Sequence, residues 1–217
     1  MILLIEMDEL TSDIKAPVQA ISRLRPGTDG KGITTLVTFY GCPLRCKYCL
    51  NPRTLGEIPD DSYITPEELY ERVKKDDLYF RATDGGVTFG GGEPCLRSDF
   101  IRKFADLNRH NWHIRVETSL NAHSFQIGEL LPIVDQWIVD IKSLDIAVYK
   151  AYTGIYNHHV INMLSLFLQK KMQDKVLIRI PLIPEFNDEF DRTNSIRYLK
   201  GMGFTKFDLF TYKIPKP

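Results

Sequence analysis

Cysteine is scarce in this chain, four in 217 residues, and three of the four fall in one stretch, GCPLRCKYCLNP (41–52). Thiols so few and so crowded make a poor disulfide framework for a domain of this size and fit a reducing, cytoplasmic setting. Excess charge of either sign is missing too, with 28 Lys and Arg against 28 Asp and Glu. No overall field draws in nucleic acid or an anionic membrane, and neither is expected as a partner. Long hydrophobic runs are absent. The opening MILLIEMDEL is too short for the apolar core of a signal peptide and is broken by Glu6 and Asp8, and no span reads as a transmembrane helix. No repeat, low-complexity tract or charge run divides the sequence. With 43% hydrophobic residues it reads as one domain, 1–217, with an N-terminal lead-in over about 1–26.

What is present is an alternation of strand-like and helix-like segments. TTLVTF (34–39) is a β-branched and aromatic run that ends at Gly41. In ITPEELYERVKK, Thr65 stands before Pro66 with Glu68 three residues on, the signature of a capped helix start. GVTF (86–89) precedes the helical RSDFIRKFADLNR, and HIRVET (113–118) precedes a helix near 124–131. QWIVDI (136–141) precedes HHVINMLSLFLQKK, KVLIRIP (175–181) precedes FDRTNSIRYLKGMG, and KFDLF (206–210) is a last strand. Six strand steps imply a parallel sheet with right-handed crossovers, and the expected fold is α/β, an open partial (β/α)6 TIM-like barrel.

In such barrels chemistry gathers on the loops after the strands. The cysteines follow the first of these strands, GGGEP the second, Glu117 closes the third, and Asp140 and Lys142 stand at the fourth. One mouth would hold them all.

The CX3CX2C spacing of Cys42, Cys46 and Cys49 wraps one short loop around a compact centre. Three thiolates can bind three irons of a [4Fe–4S] cube and leave the fourth open to a ligand. Structural zinc competes, but it asks for four closed ligands, and no histidine sits near the trio. A simple electron carrier also asks for four cysteines for its cluster. Cys95, beside Pro94 in another loop, reads as a small buried hydrophobe. The five histidines, the His158–His159 pair among them, read as helix or turn residues without a catalytic role.

The trio, with the aromatic Tyr48 just before its last cysteine, resembles the radical S-adenosylmethionine superfamily, and GGEP (91–94) is similar to that superfamily's strand for the methionine amino group. DGKG (29–32), CLNP (49–52), GGVTFGGGEP (85–94), VETSL (116–120), VDIK (139–142), YTGIYN (152–157) and IRIPLIPEFND (178–188) resemble, in order, stretches of the activating enzymes of glycyl radical enzymes. This likeness runs from about Gly27 to about Tyr212. It implies a [4Fe–4S] cluster on Cys42, Cys46 and Cys49 whose open iron is chelated by S-adenosylmethionine. It implies Tyr48 at the adenine, Gly91, Gly92 and Glu93 at the methionine end, and Asp140, Lys142 and Arg179 at the ribose and carboxylate side. Glu117 and Asp140 match the family's site for a monovalent cation.

The implied reaction is a one-electron cleavage of S-adenosylmethionine followed by hydrogen abstraction from a glycine Cα of a partner glycyl radical enzyme. A flavodoxin- or ferredoxin-like donor would supply the electron. Two alternatives stand beside it: the same centre acting on a small molecule or peptide, and a non-enzymatic metal or electron-transfer module, which would have no use for GGE and VDIK. Read alone, Arg179 could be a solvated rim residue. Lys142 has a stronger claim, because it shares a strand face with Asp140. The sequence also departs from the family pattern. Lys31 stands for a proline, Glu117 for an aspartate, Ser119–Leu120 for Asn-Gly, and Lys213 where a histidine is expected.

Overall fold

The computed structural model describes residues 14–109 and 112–212, so Lys213, His110 and the first part of the lead-in lie outside the described residues. The chain enters as an antiparallel pair, β1 (Ala16–Pro26) and β2 (Ile33–Phe39), and β3 (Tyr63–Ile64) pairs with the start of β1. Helices α1 (Pro66–Val73) and α2 (Asp77–Thr83) lead to β4 (Gly86–Gly91), followed by α3 (Ser98–Leu107), β5 (His113–Thr118), α4 (Ser124–Leu130) and β6 (Gln136–Asp140). Two helices, α5 (Ile146–Thr153) and α6 (His158–Gln169), precede β7 (Val176–Leu182), and α7 (Glu189–Gly201) precedes β8 (Lys206–Thr211). The sheet order is β3-β1-β2-β4-β5-β6-β7-β8. From β2 to β8 every neighbour is parallel, which gives the six expected barrel strands in an open sheet.

Local chemistry explains the elements. At α1, Thr65 Oγ1 accepts from the Glu68 amide at 3.1 Å while Glu68 Oε2 accepts from the Thr65 amide at 2.8 Å, with Pro66 at the first helical position. Two orphan donors are thereby satisfied together. Alternation along the strands sorts the faces: Val116, Val139 and Ile178 are fully buried against the helices, and Glu117, Asp140 and Arg179, one residue further, point inside the barrel. On the helix side, Phe100, Ile101 and Phe104 of α3 are fully buried. Phe100 meets Phe39 edge-on at 5.6 Å and Phe104 meets Phe89 at 5.3 Å. Each such side chain contributes roughly 1.5–3 kcal/mol by leaving water.

Three features add to the sequence reading. The lead-in is not merely a tail, since its second half is β1. Register shifts between Val18 and Ala20 and between Ser22 and Arg25 break the alternation that would have marked it as a strand. Short helices α2 and α5 carry no sequence expectation. And His113 opens strand β5, as the strand reading of HIRVET has it and unlike the general placing of the histidines on helices or turns, while His123 and the His158–His159 pair do sit at helix starts.

Candidate functional site

The cysteine loop leaves the C-terminal end of β2 and is tied down on three sides. The Gly41 amide donates to Thr54 O at 2.8 Å, the Glu93 amide donates to Gly41 O at 2.8 Å, and the Arg45 and Lys47 amides donate to Thr153 O and Tyr152 O at 2.9 and 3.1 Å. Arg45 also folds back, its guanidinium donating to Cys42 O at 2.7 Å and Leu44 O at 2.9 Å. Cys42, Cys46 and Cys49 are all free and half-buried, and all three line one depression of about 610 Å3, counted out to open solvent. Burial pushes the Cys42 thiol up to about 12 and the Cys46 thiol up to about 11. Such thiols become thiolates only when a cation compensates, as iron would. Cys95 is fully buried beside Thr118, away from the trio's loop.

Gly91 and Gly92 also line the depression, and the reason for glycine at both is close packing of the chain on itself. A Cβ on Gly91 would lie 2.5 Å from Thr38 Cβ, and one on Gly92 would lie 2.1 Å from Gly41 O. The end of β4 therefore presses directly on β2 and the cysteine loop. Glu93 does not itself line the depression, although its partners Thr118 and Ser119 do. It is 1% exposed, and its carboxylate accepts from Thr118 Oγ1 at 2.5 Å, Ser119 Oγ at 2.7 Å, the Ser119 amide at 3.0 Å and the Cys95 amide at 3.2 Å. The sequence places its charge beside a ligand ammonium; the structure occupies that charge with the chain's own donors.

On the opposite wall Asp140 and Lys142 meet as expected from VDIK. The Lys142 ammonium donates to Asp140 Oδ2 and, at 2.7 Å, to the Tyr212 hydroxyl. Burial works against its charge, but Asp140 and Tyr212 more than offset that and hold its pKa well above the usual lysine value. Burial likewise pushes the Tyr212 phenol up to about 12. The second carboxylate oxygen, Asp140 Oδ1, is buried with no partner in the described chain. An orphaned acceptor in the wall of a depression is a place for a ligand donor or a cation. Glu117 also lines the depression, its Oε1 accepting from Arg179 at 2.6 Å. Burial raises the Glu117 carboxyl and Arg179 pulls it back. Arg179 is well enclosed and bonds Asp208 and Thr28 O at 3.0 Å each, so it is not a solvated rim residue.

Tyr48 joins an aromatic wall with Phe186, 5.8 Å away edge-on, and Tyr152, 6.2 Å away. Its hydroxyl donates to Glu185 Oε2 at 2.8 Å. Residues the sequence reading did not single out complete the lining: Leu44, Leu50, Asn51, Thr118, Tyr152 and Tyr212. Tyr212 follows a barrel strand and so had a positional signal; Tyr152 had only its place in YTGIYN. The departures are absorbed locally. Lys31 pairs with Asp84 at 2.8 Å, and Leu120 adopts the left-handed φ of 60° that a glycine would take freely.

Comparison with known proteins agrees with this geometry. Residues 36–195 match the model of the Radical SAM superfamily. The pyruvate formate-lyase-activating enzymes of Staphylococcus aureus strains USA300 and COL are each 34% identical over 172 residues, 75% of this chain and 67% of theirs. Among solved structures, Streptococcus suis SuiB bound to S-adenosylmethionine superposes with a TM-score of 0.63 at 14% identity, over 82% of this chain and 40% of that one. The anSMEcpe structure with bound AdoMet gives 0.62 at 19% identity, over 81% and 50%. The chain thus spans about half or less of those two structures and shares their fold. Three free cysteines in CX3CX2C at the mouth of an open six-strand parallel barrel, together with a family match over most of the chain, make this protein a member of the radical SAM superfamily.

Proposed function

We propose that this radical SAM enzyme activates a glycyl radical enzyme. The observation that carries the reading is 34% identity over 75% of the chain to pyruvate formate-lyase-activating enzymes, with the three thiols and the orphaned Asp140 oxygen in one depression. When bound, a [4Fe–4S] cluster and S-adenosylmethionine supply a one-electron cleavage and the abstraction of hydrogen from a glycine Cα. The chain's residues bind and orient. Cys42, Cys46 and Cys49 would hold the iron on a loop that the chain already restrains. Gly91 and Gly92 bring bare backbone to the methionine end, and Glu93 stiffens that wall through Thr118 and Ser119. Asp140, neutralised on one side by Lys142, offers Oδ1 to a ribose hydroxyl or a monovalent cation. A cation shared with Glu117 would compete with Arg179 for that carboxylate. Tyr48 and Tyr152 form the apolar side that receives the adenine and excludes water.

The substrate would be an extended glycine-bearing loop of a larger protein, entering where the open sheet leaves its edge strands unjoined. A flavodoxin- or ferredoxin-like protein would deliver the electron. Anaerobic, iron-loaded enzyme given reductant, S-adenosylmethionine and a partner deuterated at the glycine Cα should form 5′-deoxyadenosine carrying deuterium. Transfer from a small metabolite or from another peptide position, with none from a glycine loop, would refute the assignment and favour a different radical SAM reaction.

A further inference from the structure

Among the described residues five non-glycines hold a positive φ: Leu24, Asp84, Leu120, Lys171 and Glu185. Asp84 and Lys171 end helices, where that conformation is ordinary, and Leu24 lies in a register shift of β1. Glu185 is different. It sits at φ 70° in the turn between β7 and α7, and its side chain is exposed. The turn is fixed by its neighbours. Asn187 Oδ1 accepts from the Ile183 amide at 2.6 Å, Asn187 Nδ2 donates to Pro181 O at 3.1 Å, and the Phe186 and Asn187 amides donate to Ile183 O at 3.0 and 3.1 Å. Glycine would occupy this position without strain, so a glutamate there invites a functional account.

The Glu185 side chain supplies one. Its sole hydrogen bond in the described chain is the one from the Tyr48 hydroxyl, 137 positions away in sequence. Tyr48 lies in the cysteine loop next to Cys49, and its ring is held edge-on by Phe186, the residue after Glu185. The β7–α7 turn thus holds an aromatic ring of the cysteine loop through one hydrogen bond and one ring contact, beside Cys49, which lines the depression.

We infer that Glu185 is a positioning residue for S-adenosylmethionine, clasping Tyr48 so that the cysteine loop and the β7–α7 turn present a preset aromatic edge to the adenine. The inference rests on the proposed cofactor. The gain is in preorganisation: a side chain ordered before the ligand arrives need not be ordered by it.

The test uses the full chain, loaded with iron under anaerobic conditions and titrated calorimetrically with S-adenosylmethionine. Glu185→Ala and Tyr48→Phe should each weaken binding by about 3- to 10-fold, the range expected for ordering one side chain. The double variant should lose no more than either single, since both break the same bond. Glu185→Gln, whose amide oxygen still accepts from the phenol, should restore affinity. Glu185→Gly should raise the thermal midpoint while weakening binding, a pairing that a merely structural role would not produce. Iron per chain should not change in any of them. Additive losses, or wild-type affinity in Glu185→Ala, would overturn the clasp while the enzyme assignment stands. Wild-type protein with no affinity for S-adenosylmethionine would overturn both.

Discussion

Replacing Glu93 with glutamine separates two roles for the acid of the GGE stretch. If its carboxylate meets a ligand ammonium, the substitution costs affinity and leaves the ligand-free fold untouched. In the ligand-free chain four donors already converge on the two oxygens, which gives the carboxylate an anchoring role of its own. A glutamine amide must turn its NH2 toward either the Ser119 side or the Thr118 and Cys95 side. The hydroxyls can rotate to accept, but one backbone N–H is left facing another donor. An unsatisfied buried donor costs about 1–3 kcal/mol, and the three remaining bonds each fall from charge-assisted to neutral strength. The total is about 3–5 kcal/mol, a large share of the 5–15 kcal/mol that typically stabilises a domain. For a chain of this size that lowers the melting midpoint by roughly 10 °C. Urea and thermal unfolding of ligand-free wild type and Glu93→Gln measure it directly. Stability within about 1 kcal/mol of wild type, joined to a loss of S-adenosylmethionine affinity, would refute the anchoring role.

Single alanine replacements of Cys42, Cys46 or Cys49 should each abolish the cluster, whereas Cys95→Ala should keep it, because Cys95 is buried beside Thr118; iron counting and low-temperature electron paramagnetic resonance decide. Asp140→Ala should weaken S-adenosylmethionine binding by an amount worth on the order of 1.5–3 kcal/mol while iron content holds, as titration calorimetry would read. At the other end of the barrel, Asp84 accepts from Lys31 and contacts His113 at 2.8 Å each, which lowers its pKa from 3.8 to about 2. A depressed carboxylate stabilises the fold above its unfolded pKa, and the contribution disappears as pH falls through that window to about 2. Asp84→Asn should therefore flatten the acid limb of the stability curve between those values, and an unchanged limb would show that the ion pair does not hold in solution.

The six barrel strands were legible because each carries β-branched or aromatic runs bounded by turn residues, and the cap of α1 because Thr65, Pro66 and Glu68 signal locally. β1 was not legible, since its two register shifts erase the period. Helix α5 had a readable start in Asp145, whose side chain accepts from the Ala147 and Val148 amides, but its apolar residues do not gather on one stripe. The site divides in the same way. Cysteine spacing and the polar residues at strand ends located the mouth, and Asp140 with Lys142 followed from their spacing of two, although β6 itself stops at Asp140 and Lys142 lies in the loop after it. The direction of Glu93 did not, because it depends on a turn 25 residues further along the chain. The bond from Tyr48 to Glu185 spans 137 positions and has no local signature at all.

The anchoring of the cysteine loop bears on how iron is acquired. Many small metal sites are assembled by the metal, which must then supply the entropy of ordering its own ligands. Here the backbone between Gly41 and Lys47 is already held by Glu93 in the turn after β4, by Thr54 and by the C-terminal end of α5. At about 1–2 kcal/mol of ordering entropy per residue, a loop of this length would otherwise divert a substantial part of the metal-binding free energy into folding. Chelation should accordingly strip iron without unfolding the barrel, and reloading should proceed on a folded receptor whose rate is set by delivery of iron and sulfide.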